Sequence, residues 1–109
     1  MPLETAFIPA ENRLDLTVQG RLDLTLTQGI KELLTQTPPG LRTCVIDLTG
    51  VERTFDSGLA LLWVLDDRFS RLGVRILVLI EDQRLFEQVT YAMRHALLKY
   101  PQDSAASVS

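Results

Sequence analysis

Three residues in the middle of the chain have types and spacing suited to chemistry. Asp47 closes one apolar run, and Asp56-Ser57 opens the next within the stretch TFDSGLALLW, Thr54 to Trp63. An acid ending a strand, and an acid and hydroxyl beginning the following helix, would share one edge of an α/β sheet, where binding sites collect. A serine needs an activating base to act as a nucleophile, and none is evident near Ser57. There is no G-x-S-x-G elbow, because Phe55 and Asp56 precede Ser57. There is also no P-loop and no G-x-G-x-x-G, and Gly50 and Gly58 stand alone. The expectation is a protein that is not an enzyme and holds no cofactor.

The remaining reactive side chains carry plainer readings. Cys44, the single cysteine, falls in a strand-like apolar run and is expected as a buried thiol. His95, the single histidine, lies beside Arg94 and near Lys99, where a surface position late in a helix is expected. One of each leaves no internal disulfide, no metal-ligand set and no histidine-based triad. Ser57 itself reads as a helix N-cap, its hydroxyl serving an orphan amide, with Asp56 favoured at the positive helix end. Trp63, next to the inward Leu62, is expected at the core or its edge.

The elements that must position these residues follow from periodicity. Ala6 to Ile8 and Leu14 to Val18 read as a hairpin turning at Glu11-Asn12, with a short strand conceivable around Arg21 to Asp23. Thr25 to Gln36 carries Leu26, Ile30, Leu33 and Leu34 at helical spacing and stops at Pro38-Pro39-Gly40. Cys44 to Ile46, led by Leu41 and closed by Asp47, suits a central strand. A second helix starts near Ser57, with Leu62, Leu65, Phe69 and Leu72 inward, Asp66, Asp67, Arg68 and Arg71 outward, and Gly73 as its stop. Val74 to Ile80 is a strand. A third helix runs from after Glu81-Asp82 to about Tyr100 on Leu85, Val89, Met93 and Leu97, closed by Pro101, with Arg84, Arg94 and Lys99 on a solvated face. The fold class is α/β: a small mixed sheet, antiparallel hairpin plus parallel strands, with helices packed on it.

Bulk composition bounds the function. The 109 residues are 46% hydrophobic and 23% charged, with a net charge of -3 and a pI near 5.0. That suits one domain, expected over 1–101, with a small polar tail over 102–109. No basic footprint for nucleic acid exists. No apolar run spans a bilayer and no leader pattern opens the chain, so a cytoplasmic location is expected.

Taken together, VIDLTGVERTFDSGLALL, Val45 to Leu62, resembles the signature of STAS domains, the fold shared by bacterial anti-sigma factor antagonists and the cytoplasmic tails of sulfate transporters. That signature is a buried strand ending D-L-S/T, a short connection, then D-S/T-S/G-G-L at a helix N-terminus. Upstream, GRLDLT, Gly20 to Thr25, is similar to the family's G-x-L-D stretch, and the likeness runs from about Leu14 to Leu98. In regulatory members the hydroxyl before the motif glycine is phosphorylated by a kinase that is also an anti-sigma factor. Without a gap, that position is Ser57. The resemblance implies a partner surface at Gly20, Asp23, Thr49, Phe55, Asp56, Ser57, Gly58, Leu59 and Leu61, centred on a loop from Thr49 to Asp56. No metal and no cofactor are expected, nucleotide binding of the kind found in some relatives stays open, and a weak homodimer is admitted. The alternative is a constitutive STAS subunit that binds the ATPase of a phospholipid-transport ABC complex. Phe55 stands where the family usually has its aspartate, and Asp56 stands one place later.

Overall fold

The computed structural model describes residues 2–100. Its elements are β1 (Leu3–Ile8), β2 (Arg13–Leu22), α1 (Thr27–Thr35), β3 (Thr43–Thr54), α2 (Asp56–Arg71), β4 (Arg75–Leu79), α3 (Gln83–Ala92) and β5 (Leu97–Lys99), with 3-10 turns at Pro9–Glu11 and Leu24–Leu26. The strands form one sheet in chain order, β1 antiparallel to β2 and the rest parallel. Leu14, Leu16, Val18 and Leu22 of β2, Cys44, Ile46 and Leu48 of β3, and Ile76 and Val78 of β4 are buried on one face. Ile30 and Leu33 of α1, Leu62, Leu65 and Phe69 of α2, and Leu85 and Val89 of α3 complete that core. Alternation along the strands and 3.6-residue periodicity along the helices thus meet in one apolar layer.

The hairpin, first helix, central strand and fourth strand stand where the sequence places them, with β1, β2 and β3 longer than expected and β4 one residue shorter at each end. Cys44 is buried, and burial followed by the charge of Asp15 pushes its thiol up to about 12. The segment from Thr49 is not a loop: β3 continues to Thr54, pairing Gln19 with Gly50 and Leu22 with Thr54. Its polar residues are tolerated because β4 leaves the pairing at Asp47–Leu79, so this half of β3 is hydrogen-bonded on one side only. Asp47 therefore lies well before the strand end and apart from Ser57. Register shifts at Thr17/Gln19 and Gly20/Arg21 bend the pair, and Gly20 takes φ +79, which L side chains rarely adopt.

The third helix ends at Ala92 rather than near Tyr100, and the i, i+4 series continues only as far as Met93. Leu97 belongs instead to β5, 59% exposed, where Ile80 donates its N–H to the Lys99 carbonyl at 2.9 Å. Asp66, expected outward, is buried, while Leu72, expected inward, and Trp63, expected at the core or its edge, are exposed. The inward stripe of α2 is narrower than the apolar residue types suggest, so position 63 falls outside it. His95 lies in a turn after α3, exposed as expected but not helical. The closing Pro101 and the tail over 102–109 lie outside the described residues.

Candidate functional site

The C-terminal ends of β2 and β3 and the start of α2 are joined at one backbone atom. Leu22 ends β2, and its carbonyl accepts the Phe55 N–H at 3.0 Å. That carbonyl also lies over Gly58: a Cβ there would stand 2.1 Å from the Leu22 oxygen and 2.4 Å from its carbonyl carbon. Glycine at 58 lets strand and helix touch without an intervening side chain. The Phe55 carbonyl in turn takes the N–H groups of Gly58 and Leu59 at 2.9 and 3.1 Å, which starts the helix.

Phe55, not Ser57, is thus the N-cap of α2, and it makes no side-chain cap bond. Asp56 is the first helical residue and Ser57 the second. The capping expectation for Ser57 fails because β3 runs to Thr54 and the chain enters the helix straight from it, which puts the N-cap at Phe55, two residues before Ser57. Ser57 is half-buried between exposed Asp56 and buried Gly58.

Around this junction the site residues separate by role. Thr49 donates its hydroxyl and N–H to one Asp47 oxygen at 2.6 and 2.9 Å, so Asp47 is engaged locally. Asp23 is buried, caps the Leu24–Leu26 turn through the Thr25 N–H at 2.9 Å, and pairs with Arg21 at 3.0 Å. Leu59 and Leu61 are half-buried and pack against the core. The ring of Phe55 lies under two guanidiniums, Arg21 at 5.1 Å and Arg53 at 5.5 Å, contributed by register partners on β2 and β3. Arg21 and Arg53 escaped the sequence reading; each flanks a motif residue, but only the register stacks both on Phe55. A cleft of about 500 Å³ opens beside them, with Arg53, Thr54 and Phe55 on one wall and Arg84 and Gln88 of α3 on the other.

The Asp23 carboxyl is held below the ordinary carboxylate range, chiefly by the Thr25 hydroxyl, then by the Thr25 amide and Arg21. A pKa depressed by folding adds stability above the unfolded pKa and loses it as pH falls through the folded one. Asp23→Asn should therefore be destabilising at neutral pH and close to neutral in acid. Denaturant midpoints between about pH 7 and about pH 2.5 measure this, and an unchanged pH profile would contradict it.

The only histidine is engaged by Asp66, which lies nine residues along α2, about 14 Å from Ser57 along the axis. No three His, Cys, Asp or Glu side chains among the described residues form a group able to hold a metal ion. No helix among them is long and apolar enough to cross a membrane.

No protein-family model matches the chain, and no curated protein matches it. Solved structures do. The anti-sigma factor antagonist SpoIIAA in its unphosphorylated form aligns at TM-score 0.72 and 11% identity, covering 97% of this chain and 94% of that one. RsbS from Moorella thermoacetica, carrying a serine-to-glutamate substitution, aligns at 0.76 and 15% identity, covering 99% and 95%. A sulfate transporter family protein from Wolinella succinogenes aligns at 0.69 and 13% identity, covering 88% and 84%. With a five-stranded mixed sheet and three helices among the described residues, the chain has the STAS fold, the fold of the anti-sigma factor antagonist SpoIIAA.

Proposed function

We propose that the protein is a regulatory module that binds another protein through the β2–β3–α2 junction and is switched by phosphorylation at Ser57. The partner is a kinase-type anti-sigma factor. One observation carries this reading: a half-exposed serine in the first turn of a 16-residue helix, rigidly joined to the strand ends. A phosphate there adds roughly -1.5 to -2 charges, and the helix N-terminus favours that charge within the fold. The cost falls on a complementary partner surface, which must desolvate the phosphate. Gly20, Thr49, Phe55 and Asp56 frame the contact, while buried Gly58, Asp23 and the inner parts of Leu59 and Leu61 hold its shape.

Ser57→Asp is expected to leave the denaturation midpoint nearly unchanged and weaken the partner complex about tenfold or more, ~1.4 kcal/mol. Calorimetry against a purified kinase-type anti-sigma factor measures it, and equal affinity would remove the electrostatic switch. Incubation with ATP and that kinase should label the wild type and not Ser57→Ala.

The second reading, a constitutive subunit binding the ATPase of a phospholipid-transport ABC complex, is favoured by Phe55. An aromatic ring under two arginines replaces the acid expected one place before Asp56. Co-purification separates the two: recovery of a transport ATPase without a kinase supports the second, and the reverse supports the first.

A further inference from the structure

Helix α2 turns Gly58, Leu62, Leu65, Asp66 and Phe69 inward. At about 100° per residue, Asp56, Ala60, Trp63, Val64, Asp67 and Arg71 fall within roughly 100° of arc on the opposite side. All but half-buried Asp67 are exposed, Trp63 by 54% and Val64 by 36%. Its apolar side chains are Ala60 near the midline and, halfway along the helix on opposite edges of the arc, Val64 and the chain's single tryptophan, Trp63. Its ends carry opposite charge: Asp56 is the first residue of the helix and Arg71 the last. Halfway between them lie Trp63 and Val64. Reversed end to end, the two terminal charges complement each other, and Asp67, paired within its own chain to Arg71, comes level with Ala60.

We propose that this face joins two copies of the chain in a symmetric dimer, with the α2 helices antiparallel about a two-fold axis between Trp63 and Val64. The axis sets the two Trp63 indoles side by side along one edge of the seam and the two Val64 side chains along the other, and it brings each Asp56 level with Arg71 of the second copy. Charge complementarity selects this occupant. An antiparallel pair matches acid to base at both ends and opposes the helix dipoles, whereas a parallel pair would set Asp56 on Asp56 and Arg71 on Arg71. Arg71 is already steadied on this face by Asp67, four residues earlier, at 3.3 Å. Ala60 is small and leaves room one turn away for the second copy's indole, so the axes can approach closely. A helix of 16 residues is about 24 Å long, too short for a standard stable interface, so the dimer is weak and concentration-dependent. It forms whether or not Ser57 is a phosphorylation site. Ser57 lies about 20° beyond the Val64 edge of this arc, so the dimer flanks that serine rather than burying it.

Sedimentation equilibrium of the full chain from about 10 μM to about 1 mM at low salt tests this directly. The average mass should rise toward two chains, and Trp63 emission should move to shorter wavelength as the indole leaves water. Trp63→Ala, with its helical circular dichroism unchanged, should stay monomeric throughout. Asp56→Arg and Arg71→Asp should each weaken the dimer about tenfold, and the double variant should recover most of the loss. A single-chain mass at the highest concentration overturns the proposal. So does a dimer indifferent to Trp63→Ala, or one that the double charge reversal does not rescue. Either failure leaves the kinase and co-purification results untouched.

Discussion

Gly58→Ala is expected to destabilise the fold by about 3 kcal/mol, a fall of roughly 15 °C in the thermal midpoint. The new methyl would meet the Leu22 carbonyl carbon and oxygen, which are backbone atoms ending a strand, rather than a side chain free to rotate away. Relief requires α2 to lift from β2, which stretches the bond from the Phe55 N–H to the same carbonyl. Ser57→Ala, one residue earlier, should change stability by less than about 0.5 kcal/mol, because Ser57 does not cap the helix. A loss near 1 kcal/mol, the ordinary value for a removed cap, would reinstate capping. Thermal melts of the two variants decide both points. A partner complex that tolerates Gly58→Ala would also show that the strand–helix junction does not shape the contact.

Asp66→Ala is expected to cost a similar amount, about 2–3 kcal/mol. The Asp66 carboxylate is 3% exposed and accepts the His95 N–H at 3.2 Å on each oxygen, with Nδ1 of the His95 ring at 2.8 Å. This contact spans 29 residues and holds the turn between α3 and β5 against α2. Without it, β5 should separate from β4 first, so the Ile80 amide, bonded to the Lys99 carbonyl, should exchange much faster. His95→Ala should cost less, because its backbone N–H still reaches Asp66. Denaturant titration and hydrogen exchange measure these effects. Unchanged Ile80 protection in Asp66→Ala would mean that β5 is held by its own packing.

The parts of the fold visible in sequence are those where local pattern and tertiary demand agree. Leu14, Leu16 and Val18 alternate because one sheet face is covered. Leu26, Ile30 and Leu33 recur because α1 rests on that same face. The Ser57-Gly58 junction was legible through its resemblance, although the reason for the glycine was not. Only the arrival of the Leu22 carbonyl from another strand explains it. The third helix was drawn too long because Leu85, Val89, Met93 and Leu97 keep one period across a real boundary. No proline or glycine breaks that run.

By itself the sequence determined the α/β order, the apolar layer, the buried Cys44 and the placing of Ser57-Gly58 at the head of a helix. Each follows from side-chain type repeated at the spacing of a strand or helix, which is local information. The tertiary structure alone decided that Asp66 lies inside and Trp63 outside, that β3 runs on to Thr54, and that Phe55 rather than Ser57 caps α2. The place of Asp66, the run of β3 and the helix start depend on hydrogen-bond partners distant in the chain or in the backbone itself, and the exposure of Trp63 depends on which face of α2 meets the sheet.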